Sequence, residues 1–316
     1  MNDINKSPFL SFVIPVYNSQ DYIGKCLESI IAIDYPRDRF EIIVVNNGSS
    51  DNTADEAKKF THKILSLKRE TIAKARNTGA AEAKGDFFVF VDSDCVIPKE
   101  WVGRALGYFN DDKVGMAGSS GFTVPENSTW VDKTWEVHLN KNAGIRETKW
   151  LAARAIMVRK SAFLSIHGFD ERLVTCEDVD FGRRLAGKYK IISDSRLAPL
   201  HLDQMKTLPV FIRKESWRGR DSLKTGLKHP GEISEILSAM SIFYYLLCFL
   251  FFIPAMFIGD KKYLAIDICA ITIPLFVFAF DTCKKTRRFA YFWKLVILYG
   301  AYNFARSIGV FIRWRK

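Results

Sequence analysis

The chain has 316 residues, 48% of them hydrophobic and 26% charged, with a formal net charge of +11. That length exceeds one ordinary core, so two domains, or one with an appendage, are expected. Residues 201–316 hold 18 Lys and Arg against 8 Asp and Glu, which puts the basic surface beside the most apolar sequence; this fits the anionic face of a membrane and argues against a nucleic-acid partner, as does the lack of zinc-finger spacing or of a basic and aromatic repeat.

Cys26, Cys95, Cys176, Cys248, Cys269 and Cys283 are scattered without a CxxC pair, so free thiols in a reducing compartment are expected. The five histidines are equally dispersed, which argues against a His-based metal cage. "MNDINKSPFLSFVIPVYN" carries an early acid and a short apolar run broken by Pro15. It does not read as a signal peptide, and the first domain is expected in the cytoplasm.

In chain order, "FLSFVIPVYN" predicts a strand, and "SQDYIGKCLESIIA" a helix with Ser19 as N-cap and Ile23, Leu27, Ile30 and Ile31 on one face. "FEIIVVNN" predicts a second strand, "SSDNTADEAKKF" a capped helix and "HKILSL" a third strand. "TIAKARNTGAAEAKGD" predicts a close-packing helix of small residues stopped by Gly85. Short strands alternating with helices imply a largely parallel sheet covered on both faces, with ligands at the carboxyl ends of its strands. Residues 121–150 look irregular and Trp-rich. "LAARAIMVRKSAFLSIHGFDERL" reads as strand, helix and turn, and "CEDVDFGRRLAGKYKI" as a helix leading to a strand.

Three segments follow: an α/β domain over 1–205, a basic amphipathic interfacial segment over 206–235, and a membrane region over 236–316 with two or three hydrophobic helices. Ile236–Ile258 is uncharged and about 34 Å long as a helix, enough to cross a bilayer. Tyr263–Phe280 is a second span interrupted only by Asp267. Phe289–Ile312 carries Lys294, Asn303 and Arg306 and is read as interfacial or re-entrant. Two spans return the chain to the cytoplasm at the basic "DTCKKTRRF", as the positive-inside rule requires.

"DFFVFVDSDC" drives an apolar strand onto Asp92 and Asp94. In an extended segment both carboxylates point the same way and approach one hard cation, Mg2+ or Mn2+, which keeps positions open for the phosphates of a nucleotide. His201 is a further candidate for the metal or the diphosphate. Glu177 and Asp178 form a second acidic cluster at a helix start, which electrostatics alone also favours.

"SFVIPVYNSQDYI", "VVNNGSSDNT", "KARNTGAAEAKGDFFVFVDSDC", "GFDER" and "CEDVDFGRRL" stand in the order and approximate spacing of family 2 glycosyltransferases. The resemblance covers about residues 8–205 and implies a GT-A (Rossmann-like) nucleotide-sugar-binding domain. It implies that Pro15, Tyr17, Asn18, Asn47 and Ser49 hold the nucleotide, that Arg76 approaches it, with Asp92 and Glu177 also at the substrate, and that Asp178 is the base of an inverting transfer. Many relatives have an acidic residue where this chain has Asn46 or Asn47, which leaves the nucleobase open. "RKESWRGR" stands where processive relatives carry QxxRW; Arg213 and Trp217 are present as substrate-binding candidates, but the full pattern is not. Transfer of a single sugar to a lipid-linked or cell-surface glycan hydroxyl is therefore expected, with polyprenyl-phosphate transfer as the alternative. A transporter or scaffold with an inactive nucleotide-binding domain would show broken acidic motifs, whereas Asp92, Asp94 and Asp178 are all present.

Overall fold

The computed structural model describes residues 7–203, 205–219, 233–258 and 261–309. In chain order the elements are β1 (Leu10–Val16), α1 (Ile23–Ile31), β2 (Phe40–Asn46), α2 (Thr53–Lys58), β3 (Ile64–Ser66), α3 (Ile72–Ala81), β4 (Phe87–Val91), β5 (Cys95–Val96), α4 (Trp101–Tyr108), β6 (Val114–Gly118) and α5 (Trp130–Leu139). They continue with β7 (Ile145–Thr148), β8 (Ala155–Arg159), α6 (Lys160–Ser165), α7 (Glu177–Ala186), β9 (Lys190–Asp194), β10 (Leu200–His201), α8 (Leu208–Gly219), α9 (Ile233–Ile258), α10 (Lys261–Thr286) and α11 (Phe292–Gly309). Two compact units result, Met1–Pro125 with Ala143–Asp203, and Glu126–Asn142 with Gln204–Lys316. The second unit thus takes α5 out of the segment assigned to the α/β domain.

The first unit is an eight-stranded sheet in the order β3-β2-β1-β4-β8-β6-β9-β7. Its β3-β2-β1-β4 half is parallel, as the strand and helix alternation predicts. The other half is mixed, because β8 inserts antiparallel between β4 and β6, and β7 runs antiparallel along β9. The strands read as unbroken apolar runs because both faces are covered. Phe87, Val89 and Val91 of β4 belong to one core with Ile23 and Leu27 of α1 and Trp101 of α4, while Phe88 and Phe90 pack into another with Ala73 of α3 and Phe163 of α6.

Three local expectations change. Ser19 does not cap α1 with its side chain: its carbonyl accepts from the amides of Tyr22 and Ile23, and its hydroxyl lies 2.9 Å from that of Ser93. Gly85 does not stop α3, which closes at Glu82. It is needed where the chain passes β1, since a Cβ there would lie 2.6 Å from the Ser11 backbone nitrogen. Residues 121–150 contain α5, capped by the Thr129 side chain, and β7.

In the second unit Val137 of α5 packs with Tyr245, Leu275, Ala279, Cys283, Leu295 and Tyr299. His138 Nδ1 lies 2.8 Å from the Tyr299 hydroxyl, and burial takes this imidazole down to about 3, so it stays neutral. α8 is tied to α11 through buried Glu215, which accepts from Arg306 Nη2 at 2.9 Å and from Arg218. Among the described residues α10 is long and apolar enough to cross a membrane, with a mean hydropathy of 2.2. α9 covers residues 236–258, where Phe243–Phe252 forms a shorter apolar stretch, and α10 covers the expected span 263–280. Residues 220–232 of the basic segment and 310–312 of the third stretch lie outside the described residues.

Candidate active site

The carboxyl ends of β1, β2 and β4, with the start of α7, assemble one polar cluster in the first unit. Pro15 is buried in β1 opposite Val45. Beyond it Tyr17 is exposed, with the Arg69 guanidinium 3.2 Å above its ring. Asn18 takes a left-handed conformation at φ 45°, a region where Asn is tolerated. Its amide donates to Ser49 Oγ at 3.0 Å and its Oδ1 accepts from the Ser50 amide at 2.9 Å, lacing the β1–α1 loop to the β2–α2 loop. Asn47 has its own backbone partner: Nδ2 donates to the Glu70 carbonyl and Oδ1 accepts from the Glu70 amide, both at 2.9 Å. Its side chain thus braces the loop before α3.

Asp92 and Asp94 are not extended neighbours. The Cys95 amide donates to the Asp92 carbonyl at 3.0 Å, closing a turn, and the two carboxylates take different partners. Asp92 Oδ1 accepts from Arg76 Nη2 at 2.8 Å, while Asp94 Oδ2 lies 3.5 Å from His201 Nε2. His201 is brought there because β10 pairs antiparallel with β5, placing it opposite Cys95. Ligand atoms of Asp94, Cys95 and His201 all lie within 4.8 Å of one another, and Asp92 stands outside that group. The two aspartates thus have separate partners within the one cluster.

The donor set decides which of the three fit a hard cation. Burial, then the charges of Asp94 and Asp92, raise the Cys95 thiol well above its ordinary value. It donates to Asp94 Oδ1 at 3.6 Å, and a soft sulfur is a poor partner for Mg2+ or Mn2+. Asp94 and the His201 imidazole fit such an ion, with phosphate oxygens completing its shell.

Arg76 on α3 is the hub. It is 2% exposed, donates from Nη1 to Glu177 Oε1 at 2.7 Å and from Nη2 to Asp92, and lies 5.3 Å from the Phe169 ring centroid. Burial works to lower its pKa, but the charges of Asp92 and Glu177 raise it further above its usual range. Burial first, then the charge of Asp178, bring the Glu177 carboxyl up to about 7 against the pull of Arg76. Glu177 and Asp178 begin α7 after Cys176, left-handed at φ 60°. Asp178 Oδ1 accepts from the Val179 amide at 2.8 Å, and its side chain is half-buried. Asp180 pairs with Arg184 at 2.8 Å. Arg213 and Trp217 are exposed on α8 in the second unit.

The family described as glycosyl transferase family 2 matches residues 11–165, which contain the β1 loop, Arg76 and the DSD turn. The chain carries a family 2 glycosyltransferase domain. It is 28% identical over 186 residues to glycosyltransferase AglE of Haloferax volcanii, 56% of this chain and 61% of that one; it thus spans less than two thirds of that relative. The fold is similar to mannosyltransferase PcManGT of Pyrobaculum calidifontis, solved with GDP-Man and Mn2+, at a TM-score of 0.65 and 18% identity over 98% of this chain and 89% of that one. Staphylococcus aureus TarS 1-349, solved with UDP-GlcNAc, gives 0.51 at 18% identity over 96% of this chain and 90% of that one. At such identity the likeness is of fold alone.

The glycosyltransferase domain also contains site residues that sequence reasoning missed. Arg69 covers Tyr17; Arg154 offers its carbonyl to the Asp92 amide at 2.9 Å and stacks its guanidinium 4.9 Å from the centre of the Phe122 ring, which packs on His201 at 5.2 Å. No spacing marks them, since each comes from a different loop. The Tyr17 and Arg69 pairing becomes visible only once β1 and β3 run parallel on either side of β2.

Proposed function

We propose that the chain is a membrane-anchored, inverting glycosyltransferase that moves one sugar from a nucleoside-diphosphate sugar to a hydroxyl acceptor, lipid-linked or glycan, at the cytoplasmic face. The observation that carries this reading is the double ion pair of Arg76, which fastens the DSD turn to the Glu177 and Asp178 pair. Donor-side and acceptor-side carboxylates are thereby fixed in one rigid cluster.

Asp94 and His201 would hold Mg2+ or Mn2+, which when bound neutralises the diphosphate charge. Pro15, Tyr17, Asn18, Asn47 and Ser49 form or brace the loops that receive the nucleoside, with the Tyr17 ring and Arg69 as its stacking surface. Asp92 faces the nucleotide while Arg76 fixes its carboxylate. Asp178 takes the proton from the acceptor hydroxyl as that oxygen attacks the anomeric carbon from the side opposite the leaving group, so the configuration inverts. Glu177 restrains Asp178 from the adjacent position through its bond to Arg76. Arg213 and Trp217 are kept as substrate-binding candidates on α8. GDP-Man and UDP-GlcNAc, bound by the two structural neighbours, are the first donors to test. The anchor is α10, joined by α9 in a hairpin, with α11 interfacial or re-entrant.

The test is to incubate purified full-length protein with UDP, GDP and dTDP sugars, Mn2+ and membrane lipid extract, then determine the product and its anomeric configuration. A labelled product with inverted linkage is expected. A retained configuration overturns the mechanism, and the absence of product from every donor overturns the activity.

A further inference from the structure

The second unit contains a groove that none of the residues assigned to sugar transfer lines. Phe276, Val277, Phe280, Asp281, Lys284 and Phe292 line an open hollow of about 470 Å3 where α10 ends and α11 begins. Its walls are aromatic: the Phe276 ring lies 5.8 Å from Phe292 and 5.5 Å from Trp293, and Phe280 lies 6.1 Å from Phe289. Phe280 is still 55% exposed, so these rings leave apolar surface uncovered. The volume is in the lower half of the ~300–1,000 Å3 typical of ligand sites.

The polarity of the groove runs along the helix. Positions 276, 277, 280, 281 and 284 follow the three and four residue spacing of one helix face, apolar first and cationic last. Lys285, Arg287 and Arg288 crowd the same end. Asp281 is occupied, since it accepts from Lys285 Nζ at 2.7 Å. Lys284 makes no ion pair or hydrogen bond among the described residues.

We propose that this groove binds one anionic glycerophospholipid of the bilayer, with its phosphate on Lys284 and an acyl chain along Phe276, Phe280 and Phe292. The site rests on the reading that α10 spans the bilayer with its basic end cytoplasmic. At that end the leaflet is richest in anionic lipid, and each basic residue near it adds attraction. The groove therefore offers an apolar wall and a cation with no ion pair among the described residues, in the order that such a lipid presents its chain and its phosphate.

The experiment is native mass spectrometry of the detergent-purified full chain loaded with equal phosphatidylglycerol, phosphatidylcholine and polyisoprenyl phosphate. Phosphatidylglycerol should be retained over phosphatidylcholine. Lys284→Gln should lower its retention roughly fivefold, the value of about one basic residue at an anionic surface. Asp281→Asn, which releases Lys285, should raise it, an opposite sign that general loss of structure cannot produce. Equal retention of phosphatidylglycerol and phosphatidylcholine, or no change in Lys284→Gln, overturns the site. Preferential retention of polyisoprenyl phosphate overturns the choice of occupant. Alkaline carbonate extraction separates the two readings: release of the protein removes the span and the site together, whereas a membrane-retained protein without lipid preference loses the site alone.

Discussion

Arg76 Nη1 lies 2.7 Å from Glu177 Oε1, so two motifs 101 positions apart meet on one guanidinium. The same guanidinium holds Asp92 at 2.8 Å. Removing it as Arg76→Ala leaves two carboxylates facing each other in a buried site without their cation. The expected loss is roughly 3–5 kcal/mol of stability, as for other broken buried pairs. Arg76→Lys keeps the charge but not the fork, and should melt between wild type and Arg76→Ala. Thermal melting of all three proteins checks the order; equal melting of Arg76→Ala and wild type would contradict it.

The Glu177 carboxyl gives a pH signature. Its pKa rises from an ordinary 4.5 to about 7 in the fold, through burial and the charge of Asp178. A group whose folded value is raised binds its proton more tightly when folded. Its contribution is therefore complete below the unfolded value and is lost as pH rises through the folded one. Wild type should lose melting temperature between about pH 5 and pH 7.5, and Glu177→Gln, neutral throughout, should lose less. Identical slopes would show that the proton is not held there.

Metal dependence separates Asp94 and His201 from Cys95. Excess EDTA should abolish turnover. Asp94→Asn and His201→Ala should each raise the Mn2+ concentration for half activity by ~10-fold or more, the least that even an outer-shell partner costs. Cys95→Ser should leave that concentration nearly unchanged, because a soft thiol is a poor ligand for Mg2+ or Mn2+. A Cys95→Ser protein with a strongly altered Mn2+ requirement would make the thiol a ligand.

The sequence marks the strands and the acidic motifs well, for a physical reason. β1, β2 and β4 are covered on both faces, so their apolar runs need no partner to be recognised. α5 is different: Val137 is buried against α10 and α11 side chains more than 130 positions away, and its own pattern looks irregular until they are in place. The separate partners of Asp92 and Asp94 were hidden too, because the turn between them rests on a hydrogen bond between Cys95 and Asp92. Alternation along an extended strand does not anticipate it.

Gly85 tests the same point energetically. Read along the chain it is a helix stop, yet α3 ends earlier and a Cβ at residue 85 would lie 2.6 Å from the Ser11 backbone nitrogen and 2.8 Å from the Phe87 carbonyl oxygen. Backbone cannot rotate away as a side chain can. Gly85→Ala should therefore cost ~1–3 kcal/mol, the usual penalty of overpacking. Gly103, with open space around its Cβ position, is the control: Gly103→Ala lies on exposed helix surface and should be neutral or slightly stabilising. Equal melting of the two variants would remove the close approach as the reason for Gly85.

An Asp178→Asn variant tests what kind of acceptor the enzyme serves. A hydroxyl has a pKa far above neutrality and must lose its proton as it attacks, whereas a lipid phosphate is already an anion and attacks without a base. Asp178 is half-buried at the first turn of α7, beside the Glu177 that Arg76 restrains. If the acceptor is a hydroxyl, Asp178→Asn should lower kcat roughly 10²-fold or more while nucleotide-sugar binding persists, because a base acts mainly in the transition state. The amide is nearly isosteric and can still receive the hydrogen bond that the Val179 amide donates, so a folding defect is not expected, and melting of the variant checks this. If the acceptor is a phosphate, the loss should be small and appear chiefly in KM, through acceptor positioning. Turnover by Asp178→Asn close to wild type on the identified acceptor would remove this residue as base and turn the reading toward polyprenyl-phosphate transfer.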